Sequence, residues 1–78
     1  MTKKQIGLCR KLQQMGFTQG SWIRLYGQEF ELVTEPIAMG DDLVLVDAIE
    51  KKSGQFRRVR IPLSLVRVAN ANEESSAA

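Results

Sequence analysis

The feature that most constrains this chain is a change of hydrophobic period at Gly16-Phe17. Before that point the apolar residues follow a helix. Thr2 followed by Gln5 fits a capping box, in which each side chain satisfies the other residue's backbone N–H. Ile6, Leu8, Cys9, Leu12 and Met15 then fall on one side of a helical spiral, and Lys3, Gly7, Arg10 and Gln14 on the other. Gly16 stands where a left-handed cap is needed, and Phe17 can fold back on Leu12. These signals predict a helix over 3–15.

After the turn Thr18-Gln19-Gly20-Ser21 the period becomes two, which is that of a half-buried strand. A two-residue turn at Gly27-Gln28 predicts a first hairpin over 22–26 and 29–34. That register sets Leu25 against Phe30 and Ile23 against Leu32 on one face, with Arg24 against Glu31 and Trp22 against Val33 on the other. Glu35-Pro36 to Asp41-Asp42 reads as a loop, because Pro interrupts a ladder and Gly-Asp-Asp is turn chemistry. A second hairpin follows over 43–50 and 55–61, closed by Lys51-Lys52-Ser53-Gly54. Pairing Glu50 with Gln55 sets Val46 against Val59, Val44 against Ile61 and Asp47 against Arg58. Pro62-Leu63-Ser64-Leu65 fits a 3₁₀ turn and Val66-Arg67-Val68 a short closing strand. From Asn70 onward the composition is that of a polar tail.

The expected fold is therefore mainly β with an N-terminal α-helix: hairpin, loop, hairpin, 3₁₀ turn and a short last strand. The domain should span 1–69, with a disordered tail over 70–78. Two short hairpins, a Pro-initiated turn and a terminal strand resemble the small SH3-like five-stranded antiparallel barrel. Ser53-Gly54-Gln55 through Arg60-Ile61-Pro62-Leu63-Ser64-Leu65-Val66 looks like the end of such a barrel. The resemblance covers about residues 22–68 and implies a fold alone. The paired aromatics and acidic loop of the peptide-binding branch have no counterpart here, so no binding residue is carried over.

Composition narrows the function. With 78 residues there is room for one core and no second domain. Histidine is absent and Cys9 is the sole cysteine, which leaves no disulfide, no common zinc set and no nucleophile–base pair. Cys9 reads as a packed thiol on the apolar stripe. Asp41-Asp42 beside Glu35 lacks the alternating oxygen spacing of a calcium loop and reads as a solvated turn. No catalytic residue, metal or cofactor is expected. The longest aliphatic run, Leu43-Val44-Leu45-Val46, is too short to span a membrane, and a cytoplasmic setting is the expectation.

Two surfaces remain as candidates. Trp22, Tyr26, Val33, Leu45, Ile49 and Phe56 fall on the second face of the hairpins and form a candidate partner-binding set. The ordinary alternative is that Trp22 packs beneath the helix or the last strand. Lys51, Lys52, Arg57, Arg58 and Arg60 form a candidate phosphate-binding set. Their ordinary alternative is a solvated edge whose arginines pair with Asp47 and Glu50. Net charge is +2 from eleven basic and nine acidic residues, short of the dense basic stripe of a nucleic-acid binder. The expected function is a non-catalytic binding or adaptor module acting through protein–protein contact. Its expected partner is a protein or a second copy in a homodimer; the alternative is a nucleic-acid-binding barrel. One helix can cover only one side of a hairpin whose two sides are both partly apolar, which motivates the dimer.

Overall fold

The computed structural model describes residues 2–77, with side chains as far as residue 71. Its order is α1 (Lys3–Gln14), β1 (Trp22–Leu25), β2 (Gln28–Leu32), β3 (Ile37–Ala38), β4 (Val44–Glu50), β5 (Phe56–Arg60) and α2 (Leu63–Ala77). The strands form one antiparallel sheet in which β1 pairs with β2, and β4 pairs with β2, β3 and β5.

α1 begins and ends as its sequence dictates. Thr2 N–H donates to Gln5 Oε1 at 3.0 Å, and Gln5 N–H donates to Thr2 Oγ1 at 3.1 Å. At the other end Gly16 has φ +112°, Gly16 N–H donates to Gln13 O, and Phe17 N–H donates to Leu12 O. Those two bonds complete a Schellman ending. The buried face is Gly7, Leu8, Cys9 and Leu12, while Ile6 is 43% exposed. The stripe is thus rotated from the expected one, because α1 packs against α2 as well as against β3.

The second hairpin has the expected register, with Val46 opposite Val59 and Asp47 opposite Arg58. The first is displaced by two. Its turn falls on Tyr26-Gly27, with φ 53° and 73°, the left-handed pair of a type I′ turn whose twist matches the flanking strands. Arg24 therefore lies opposite Glu29 rather than Glu31, and Trp22 opposite Glu31 rather than Val33. A shift of two leaves every side chain on its own face. Leu25, Phe30 and Leu32 still enter the core.

Two segments depart from the sequence reading. Ile37-Ala38 is a strand paired with Leu45 and Val44, not part of a loop. It resumes the line of β2 after a bulge, where Val33 and Thr34 N–H both donate to Asp47 O. Residues 63–68 form the start of α2 instead of a 3₁₀ turn and a closing strand. The burial explains why: Val66 is fully buried and Val68 is 49% exposed, whereas a strand would put both on one face. Leu65 and Val66 N–H donate to Pro62 O, starting the helix at the proline. The tail expected over 70–78 lies mostly among residues whose side chains are outside the described set.

Leu8, Leu12 and Phe17, Leu25, Phe30 and Leu32, Val44, Val46 and Val59, and Ile61, Val66 and Ala69 belong to one core cluster. Both helices therefore cover the sheet face that carries Val44 and Val46. The sheet is not closed, since β1 and β5 share no ladder. Tyr26 Oη donates to Arg60 O at 2.6 Å, which joins the first hairpin to β5. That bond helps hold Tyr26 in a backbone region that costs a non-glycine residue roughly 1–2 kcal/mol.

Candidate functional site

Strand pairing places the second face of the sheet residue by residue. One row runs Trp22, Glu31, Ile49, Phe56 across β1, β2, β4 and β5. The next runs from Val33 through Asp47 to Arg58, and the third from Ile37 through Leu45 to Arg60. Trp22 is 56% exposed and Phe56 62%, while Val33 and Ile49 are each 37% exposed. Both helices pack on the opposite side, in the cluster that holds Val44 and Val46. Five of the six apolar candidates therefore share one uncovered face. Tyr26 is the exception, standing in the turn with its hydroxyl on Arg60 O.

The charges on this face are ordered. Arg58 grips Asp47 with two bonds, Nε to Oδ1 at 2.7 Å and Nη2 to Oδ2 at 3.1 Å. Hydrogen bonding to Arg58 is the main cause that holds the Asp47 carboxyl below the usual range, and the same pairing raises Arg58. Asp47 O and N also carry the bulge, through Val33, Thr34 and Thr34 Oγ1. A carboxyl depressed on folding stabilises the fold above its unfolded pKa of about 3.9, and that contribution is lost as pH falls through the lower folded value. Asp47→Asn should thus lower the urea midpoint at pH 7. The gap to the wild-type chain should narrow as the pH falls below the ordinary carboxylate range; a gap that stays constant would place the effect in packing instead.

The basic candidates divide. Arg57 donates to Glu50 Oε2 at 2.9 Å, and Lys51 to Glu29 Oε2 at 3.1 Å, with Lys51 Nζ 6.0 Å from the Trp22 ring. Arg58 is held by Asp47. Among the described residues Lys52 and Arg60 have no carboxylate within 4.0 Å. The strand also splits them by face, with Arg57 turned toward Glu50 and Arg58 and Arg60 turned outward. The curl of the first hairpin nevertheless gathers Lys52, Arg57, Arg58 and Arg60 around one open groove of about 840 Å³, together with Tyr26 and Phe30. Sequence reasoning missed this groove, because it lies between residues 26–30 and β5, which no register connects.

No family model, curated protein or solved structure matches the chain. Cys9 is buried, and burial pushes its thiol up, opposed by a hydrogen bond with the Ala38 backbone; it is a packing residue. Asp41 and Asp42 are exposed, and Asp41 O accepts from Asn70 Nδ2. No helix among the described residues is long and apolar enough to cross a membrane.

Proposed function

We propose that this chain is a small non-catalytic binding module that acts through protein–protein contact on the uncovered face of its sheet. One observation carries the reading. Trp22 and Phe56 are both more than half exposed at the ends of a single cross-strand row, with Glu31 and Ile49 between them. Soluble domains rarely present a connected apolar surface of several hundred Å² without a partner. Aromatic anchors ringed by charge are the usual composition of such contacts. Lys51 and the Asp47–Arg58 fork border the row here, and Glu31 lies within it. The SH3-like reading rests on the two hairpins and their curl, without a closing strand.

The alternative is a nucleic-acid-binding module using the groove of Lys52 and Arg60. It is the weaker reading, because three of the five basic candidates already hold a carboxylate. Salt separates the two. Phosphate binding falls steeply with salt through counterion release, whereas apolar contact hardly responds. A partner captured by the immobilised chain should survive nuclease and high salt and be lost from a Trp22→Glu, Phe56→Glu variant. Capture that disappears with nuclease would overturn the protein-binding reading.

A further inference from the structure

The free edge of β5 has a geometry that the uncovered face does not explain. Glu50 N–H donates to Gln55 O and Ile61 N–H to Val44 O, which fixes the hydrogen-bonded pairs of the second hairpin. Alternation then turns the peptide groups of Gln55, Arg57, Val59 and Ile61 toward β4, and those of Phe56, Arg58 and Arg60 away from it. Tyr26 Oη on Arg60 O confirms the outward direction. Among the described residues no backbone partner is seen for the outward N–H groups of Phe56, Arg58 and Arg60. They recur every second residue, about 6.8 Å apart, the repeat of an extended polypeptide. This edge borders the open groove.

We propose that the β5 edge accepts an extended acidic segment of another protein as an added strand. The proposal rests on the protein-binding reading and names a second surface and its ligand. Charge selects the ligand. Four cations line the groove at this edge, and among the described residues Glu50 and Asp47 match two of them, which leaves Lys52 and Arg60 for carboxylates of the incoming strand. A second copy of β5 is a poor occupant. Antiparallel pairing centred on Arg58 sets Arg58 against Arg58 and Phe56 against Arg60, and like charges directly opposite are unfavourable. Strand addition takes affinity from main-chain bonds and selectivity from alternate side chains.

The test uses the full chain and an end-blocked, fluorescent seven-residue peptide alternating glutamate and threonine. Anisotropy should saturate, and the amides of Phe56, Arg58 and Arg60 should shift and gain protection from hydrogen exchange. N-methylation of alternate peptide amides should weaken binding about tenfold or more, since each modification removes a ladder bond. Lys52→Glu with Arg60→Glu should weaken it to a similar degree. If that variant fails to fold, the N-methylated peptide still decides. Binding indifferent to N-methylation overturns the proposal, as does no saturation up to about 1 mM. A single-stranded oligonucleotide that displaces the peptide at lower concentration also overturns it. Peptide contact that moves Trp22 and Phe56 side chains but not the β5 amides overturns strand addition while leaving the protein-binding reading in place.

Discussion

Leu12→Ala should destabilise the domain by roughly 2–5 kcal/mol, the range for truncating a buried leucine, and lower its thermal midpoint on the order of 10–30 °C. Leu12 has no solvent exposure. It lies in the same cluster as Leu8, Phe17 and the β4 valines, and its carbonyl accepts the Phe17 N–H that ends α1. The truncation keeps that backbone bond but opens a cavity among the core side chains beneath the helix. In a domain of this size such a loss is a large fraction of the total stability. Ile6→Ala is the matched control. Ile6 was on the expected apolar stripe but is exposed, so its truncation should change stability by no more than about 0.5 kcal/mol. Circular dichroism melts of both variants check the pair. An unchanged midpoint for Leu12→Ala would mean that α1 is not docked on the sheet.

Ile6 also shows where sequence patterning stops. The cap residues, the ending at Gly16 and the existence of α1 are local chemistry, and all are present as read. Which side of the helix is covered depends on α2, whose own pattern was masked. Val66-Arg67-Val68 alternates like a strand, yet Leu65, Val66 and Ala69 also fit one helical face, and Pro62 is a good helix starter. Short apolar runs of this kind fit either period, and packing on α1 decides for the helix. The hairpins divide in the same way. In the second, Asp47 and Arg58 agree with Val46 and Val59 on one register, and that register is found. In the first, Gly27-Gln28 reads as a type II′ turn because glycine supplies the positive φ it needs, yet Tyr26 takes that conformation as well. The bond from its hydroxyl to Arg60 O, made across 34 residues, is not visible in local sequence.

The candidate face was legible for a simpler reason. Alternation assigns Trp22, Val33, Leu45, Ile49 and Phe56 to one side whether the first hairpin is in register or displaced by two. The groove beside β5 was not legible, since it forms by curvature of the sheet. Its arginines were visible in the sequence, but not which of them would be left without a carboxylate.

Trp22→Ala and Phe56→Ala should each weaken association through the uncovered face by about 2 kcal/mol or more, roughly thirtyfold, while leaving the thermal midpoint of the monomer nearly unchanged. The two effects separate because both side chains are more than half exposed and lie outside the core cluster. A fully covered aromatic buries about 150–250 Å². With Ile49 and, from the neighbouring row, Val33, the face offers roughly several hundred Å² of apolar surface, a large part of the roughly 800 Å² per partner in a stable interface. A twofold dimer needs one patch that matches itself. This face carries both signs, with Arg24 and Arg58 beside Glu31 and Asp47, so a copy rotated onto it finds apolar surface and opposite charge together. Light scattering at micromolar concentration should therefore give twice 8.8 kDa for the wild-type chain and 8.8 kDa for Trp22→Ala with Phe56→Ala. A wild-type mass that stays at 8.8 kDa on concentration removes the dimer. The face then belongs to a different protein, and loss of that partner from the same double variant becomes the measurement that decides it.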